Sequence, residues 1–213
     1  MNMSDSDNLI NTGLWQSLLW EMFTYLFMPY PFLTTLTYEE VGNSYTEDAG
    51  AIFFVNDVLL CIGIFARIYL LTRTIMSVSW YTDPRAQRVC SIYGCDATNN
   101  FAIKCMMKVY SHRVLAISLV ISVLIFAFNL RLFERPLSES TGQDFNSMIN
   151  SIWNILITMT TVGYGDLFPK SNVGRLVGIL CAFWGVIYVS LFVVALTNML
   201  EFDSPEKKAF MLL

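Results

Sequence analysis

Between residues 145 and 170 this chain places two segments that do not suit a water-soluble core. "FNSMINSIWNILITM" (145–159) is apolar but only three to four helical turns long, and it runs into "ITMTTVGYGDLFPK" (157–170), a glycine-bearing ribbon beside an acid and a proline. On either side lies a longer apolar block: "VLAISLVISVLIFAFNLRLF" (114–133), block C, and the run from about Val173 to Met199, block D. A hydrocarbon core about 30 Å thick takes roughly 20 helical residues to cross. Blocks C and D are long enough, and the stretch between them is not. Non-helical backbone at membrane depth persists only when it is buried in protein or lines a watery path. A tight turn would account for the glycines but not for the half-helix before them. The order span, half-helix, ribbon, span therefore predicts a re-entrant loop.

Two further apolar blocks precede these: A, from about Leu14 to Leu36, and B, from about Ala49 to Trp80. Only 14% of the residues are charged, against roughly 25% in an average soluble domain. The expected fold is all-α and integral to a membrane: a pore-loop domain over 112–200, preceded by two transmembrane helices over 14–80 and a linker over 81–111. A polar leader (1–13) lacks the basic n-region of a signal peptide, and 201–213 begin a cytoplasmic tail. The net charge of −4 gives no reason to expect a nucleic-acid partner. Cys61, Cys90, Cys95, Cys105 and Cys181 lack the spacing and histidines of a zinc site, and reduced structural thiols are expected. His112, the single histidine, falls at a membrane edge. No nucleophile–base pair or metal cluster is visible, so neither an enzyme nor a cofactor is expected.

Loop charge sets the orientation. The A–B loop "TYEEVGNSYTEDAG" carries four acids and no Lys or Arg, whereas the B–C loop (81–113) carries Arg85, Arg88, Lys104, Lys108 and Arg113. The positive-inside rule puts the B–C loop and the C-terminus in the cytoplasm and opens the re-entrant loop outside.

Thr161-Val162-Gly163-Tyr164-Gly165 is the known filter signature of potassium channels. Glycine reaches positive φ without steric cost, which lets successive carbonyls swing to one side. Four chains would then stack rings of carbonyl oxygen, with the Thr161 hydroxyl adding one more, in place of the ion's hydration shell. One chain supplies one wall, so a C4 tetramer is expected. Tyr164 should point away from the ions and pack against its surroundings, Trp153 of the half-helix among them. That helix aims the negative end of its dipole at the membrane centre, and Asp166 at the outer mouth would concentrate cations.

Block D should line the path. Gly174, Gly178 and Gly185 allow either close helix packing or a bend for gating. The apolar stretch from Val193 to Thr197 is the candidate gate, with Val193, Val194 and Thr197 as its residues. Glu21, Asp57, Arg67 and Arg73 are intramembrane charges. Arg67 is expected to pair with Asp57 or Glu21, and Arg73 to snorkel to the interface. Two arginines six apart cannot give steep voltage dependence.

From about Glu21 onward the chain resembles the small-conductance calcium-activated potassium channels. "EMFTYLFMPYP" (21–31) is similar to that family's third segment, and Asp57, Arg67, Arg73 and "FARIYLLTRTIM" (65–76) to its fourth. "NLRLFER" (129–135) resembles the end of the fifth, "SIWNILITMTTVGYGD" (151–166) the pore helix and filter, and "LEFDSPEKKAF" (200–210) the start of the tail. The family usually has Ser-Ile where this chain has Thr161-Val162. The resemblance implies a tetramer, homo- or hetero-, in the plasma membrane. It also implies calmodulin docked on the tail and opening by Ca2+ relayed through the linker, where "TD" (82–83) and "NNFAIKCMMK" (99–108) fit loosely. Counterparts of the first two spans are absent from the sequence, and Leu213 falls before most of the docking region, so a fragment or a truncated subunit is expected. The alternatives are a non-conducting subunit that modulates longer partners, and a channel gated by voltage or another ligand.

Overall fold

A computed structural model of the chain describes residues 14–40, 51–95 and 98–200. They are mostly helical and fall into two compact units, divided between Ala102 and Ile103. The expected leader (1–13) and the tail (201–213) lie outside the described residues, as do 41–50 of the A–B loop.

In the first unit, helix α1 (Leu14–Leu26) stops well before Leu36, where block A was expected to end. Pro29 and Pro31 explain the stop: each lacks an N–H to continue the ladder, and the residue before a proline is driven out of the helical region. Tyr30 between them is extended, and a 3-10 turn (Pro31–Leu33) follows. Strand β1 (Thr37–Glu40) then pairs antiparallel with β2 (Ala51–Phe54), Tyr38 opposite Phe53 with their rings stacked at 5.4 Å. The start of block B is therefore strand and not helix. Its β-branched and aromatic residues, Ile52, Phe53 and Phe54, suit a pleated pair better than a helix turn.

Helix α2 (Val55–Val78) takes up the rest of block B and is long and apolar enough to cross a membrane over Val55–Ile75. It is tied to the segment just after α1 at two places. Asn56 Nδ2 donates to the Tyr30 carbonyl (3.0 Å), and the Tyr30 N–H donates back to Asn56 Oδ1 (3.2 Å). At Gly63 a β-carbon would run into the Phe27 carbonyl oxygen, so only glycine fits. The Ser79 hydroxyl accepts from the Tyr81 N–H and starts a 3-10 turn. Pro84 then opens α3 (Pro84–Ile92) at the position where its missing N–H costs nothing.

In the second unit, after α4 (Asn99–Val109), three helices pack on one another: α5 (Ser111–Glu134), α7 (Met148–Met159) and α8 (Asn172–Leu200). The short α6 (Ser138–Thr141) lies between α5 and α7 and ends at Gly142, whose φ is +68°. Blocks C and D become α5 and α8 almost to the residue, and both are long enough to span. α7 has 12 residues, about 18 Å at 1.5 Å per residue, so it cannot cross. It starts three residues later than the half-block because the Asp144 carboxylate accepts the Asn146 N–H (3.1 Å) in a local turn. Arg131 of α5 holds that turn through two bonds to the Asn146 carbonyl (3.1 and 2.7 Å).

Candidate functional site

The ribbon is built on the end of α7. Ile157 offers its carbonyl to two N–H groups, Val162 at 3.0 Å and Gly163 at 3.2 Å, while Thr160 and Thr161 donate to Leu156 and Thr158. The last carbonyls of a helix ordinarily lack partners; here the ribbon supplies them. Its N–H groups at 162 and 163 are thus turned back toward α7.

The backbone then alternates. Thr161, Gly163 and Gly165 have φ of +60°, +59° and +74°, while Val162 and Tyr164 stay negative. Flipping every second residue is what lets successive carbonyls face the same way. Glycine was expected to take up this geometry. That Thr161 also takes it was not, since a β-branched residue at positive φ is an outlier. Its hydroxyl donates to the Thr160 carbonyl (2.7 Å). Strain of this kind collects at functional sites.

Trp153, Tyr164 and Asp166 come together. The Trp153 and Tyr164 rings stack with centroids 5.8 Å apart and planes 8° from parallel. The Trp153 indole N–H donates to Asp166 Oδ2 (2.8 Å), and the Leu167 N–H donates to Asp166 Oδ1 (2.9 Å). The bond from Trp153 holds the Asp166 carboxyl below the usual carboxylate range, the backbone bonds adding to it against a smaller opposing effect of desolvation. Asp166 therefore remains ionised at neutral pH. Residues 161–166 are exposed in the single chain.

Behind the ribbon, Met159 packs into α8. A β-carbon on Gly185 would sit 2.6 Å from Met159 Cα and 2.7 Å from its carbonyl oxygen. Gly174 is as tightly enclosed, by Glu134 and Ser171, whereas Gly178 has only an ordinary 3.5 Å contact with Pro169. Close packing is therefore the role of Gly174 and Gly185.

Sequence reasoning passed over Glu134. It lies at the end of α5, 1% exposed, and accepts from the Lys170 N–H (3.1 Å), the Ser171 N–H (3.0 Å) and the Ser171 hydroxyl (2.7 Å). Ser171 in turn accepts the Gly174 N–H (2.9 Å). A carboxylate thus closes the N-terminus of α8, where the helix dipole favours it. The available signal was an acid at the exit of one span and Ser-Asn at the entry of the next.

The remaining expected residues are not gathered at the ribbon. Val193, Val194 and Thr197 lie near the end of α8 and are exposed, with the Thr197 hydroxyl donating to the Val194 carbonyl (2.8 Å). Glu21, Asp57, Arg67 and Arg73 belong to the first unit. There the expected pairing of Arg67 is corrected: Glu21 bonds Arg73, while Arg67 Nη2 is buried with no hydrogen-bond partner among the described residues. Spacing along α2 gives the position of each arginine but not the rotation of α1 against it, and that rotation selects the partner. Asp57 sits in the first turn of α2, ten residues from Arg67 on the same helix.

Residues 115–202 match the family model described as "Ion channel". Over 152 residues the chain is 29% identical to a small conductance calcium-activated potassium channel protein of Drosophila melanogaster. Both matches are to ion channels, the second to a potassium channel of the small-conductance kind. The match covers 71% of this chain and 16% of the fly protein's length, so the chain corresponds to a small part of that relative. With three membrane-length helices among its described residues, the chain is integral to a membrane.

Proposed function

We propose that this chain forms, with three other copies or homologous chains, a potassium-selective pore in the plasma membrane, and that carbonyls of Thr161 to Gly165 bind the ion. The observation that carries this is the alternating φ of the ribbon, together with the two N–H groups turned onto Ile157. Four such ribbons around an axis present rings of oxygen that replace hydration water. The C-terminus of α7 adds about half a negative charge beneath them. Trp153 and Tyr164 brace the ribbon from behind, and ionised Asp166 raises the cation concentration at the outer mouth. With the B–C loop and C-terminus cytoplasmic, α8 lines the inner path, and Val193, Val194 and Thr197 form a hydrophobic constriction that gates by dewetting.

The pore opens with intracellular Ca2+ through calmodulin. The fly relative is named as calcium-activated. The linker supports the reading too: Val89 and Ile92 of α3 and Tyr93 at its C-cap are 53%, 79% and 82% exposed, next to exposed Arg85 and Arg88. A basic, apolar helix face suits an acidic partner with a methionine-rich groove. Arg67 and Arg73 alone give weak voltage sensitivity.

The test is a patch recording from membranes holding this chain, with internal Ca2+ stepped at fixed voltage. Potassium current that rises with Ca2+ is expected. Potassium current indifferent to Ca2+ would leave the pore standing and remove calmodulin gating. No current alone, with altered current when a longer homologue is co-expressed, would make the chain a modulatory subunit.

A further inference from the structure

Up to Tyr188 the buried positions of α8 are Gly174, Val177, Cys181, Gly185 and Tyr188, three or four residues apart. They form one unbroken stripe on the side packed against α5 and α7. The stripe then stops. Val189 through Val194 are all exposed, and Ala195 is the one buried residue in the rest of the described helix.

The last residue of the stripe carries a polar anchor. Tyr188 is 6% exposed, its hydroxyl donates to the Leu115 carbonyl on α5, and it stands 2.8 Å from Ser118 Oγ. The Ser118 hydroxyl also donates to that carbonyl (3.2 Å), so phenol, serine hydroxyl and carbonyl form one hydrogen-bonded knot in which either hydroxyl can donate to the other. The ring joins a buried cluster with Leu115 and Ala195, against which Met107 of α4 and Leu119 of α5 pack. Inside a bilayer the hydroxyl has no water to turn to, so leaving these partners exposes an unsatisfied group to an apolar surrounding.

We propose that Tyr188 is the latch that fixes the N-terminal part of α8 to α5, so that the movable part of this helix begins at Val189 and not at any of its glycines. Glycine would be the usual choice for a bending point. Here Gly185 is a notch filled by the Met159 backbone, Gly174 is enclosed by Glu134, and both lie on the bound side of Tyr188. Bending at either would pull α8 off the ribbon's own support. Beyond Tyr188 the helix is held at Ala195, in the cluster that Met107 of the linker helix also touches. A shift of α4 therefore acts, through that single hold, on the segment that carries Val193, Val194 and Thr197. This assignment deepens, and rests on, the reading of α8 as the gate-bearing helix.

Hydrogen–deuterium exchange on the whole chain in lipid nanodiscs tests it without needing current or Ca2+. Amides of 189–200 should exchange at least about tenfold faster than those of 177–188, the segment held only at Ala195 opening locally while the tied one does not. Tyr188→Phe keeps the ring in the cluster and removes the bond, and it should extend fast exchange back toward Gly185. Ser118→Ala, which removes one of the two bonds, should do the same to a smaller degree. Uniform protection across 177–200, or unchanged exchange at 181–188 in Tyr188→Phe, would overturn the latch. Either result would leave potassium conduction, measured separately by patch recording, untouched.

Discussion

The Trp153 indole donates to the Asp166 carboxylate at 2.8 Å while its ring lies flat on Tyr164. One side chain of the half-length helix thus holds both a residue within the ribbon and the acid just past it. That bond keeps the Asp166 carboxyl below the usual range. A group whose pKa is depressed on folding stabilises the folded form above its unfolded pKa, and the contribution is lost as pH falls through the folded value. Trp153→Phe removes the main cause of the depression. External acidification should therefore block current at a higher pH in Trp153→Phe than in the parent, and Asp166→Asn should flatten this part of the profile. A titration of current against external pH checks it; coincident curves for parent and Trp153→Phe would refute the assignment.

Gly163 and Gly165 are predicted to reject any side chain although open space surrounds both. The obstacle is the backbone, since an L-residue at their φ of +59° and +74° costs about 1–2 kcal/mol. Gly163→Ala should assemble but lose its preference for potassium over sodium. Val162→Ile, at a residue of negative φ, should keep it. Reversal potentials under mixed-ion conditions separate the two.

Gly178 and Gly185 share one helix but should behave oppositely. Gly185→Ala drives a methyl into the Met159 backbone at 2.6 Å and should cost about 1–3 kcal/mol by overpacking. Gly178→Ala meets only a 3.5 Å contact and gains helix propensity, so its stability should hold or rise. Thermal unfolding of the purified assemblies gives the comparison.

Glu134→Gln should destabilise the second unit. The carboxylate accepts three hydrogen bonds at 1% exposure, and the amide turns one acceptor into a donor facing an N–H. Hydrogen bonds to a buried charge are worth about 1.5–3 kcal/mol, and a loss of that order is expected. Glu21→Gln in the first unit should also cost stability, because it leaves the Arg73 charge within a membrane-length helix without its carboxylate partner; thermal unfolding measures both losses.

What the sequence made legible follows from how each feature is encoded. Blocks C and D could be read almost to the residue because a membrane helix satisfies its own backbone, so length and hydropathy suffice. The ribbon was legible because its glycines and its half-helix constrain one another locally. The hairpin at Ala51–Phe54 was not, because a short apolar run reads equally as strand or helix and its partner, Thr37–Glu40, looked like acidic loop. Block A extends past its helix because Pro29 and Pro31 sit inside an apolar run whose composition alone does not mark the break. Glu134 and the Glu21–Arg73 pair escaped for one reason: which side chains meet across separate helices depends on helix rotation, and one sequence does not specify it.

The central claim is that backbone oxygens of residues 161–165 replace the hydration shell of potassium. The most direct test is the reversal potential of the reconstituted chain with potassium on one side and sodium on the other. A potential close to the potassium equilibrium value, collapsing toward zero in Gly163→Ala, is the expected result. A potential near zero in the parent, with sodium passing as readily as potassium, would contradict it.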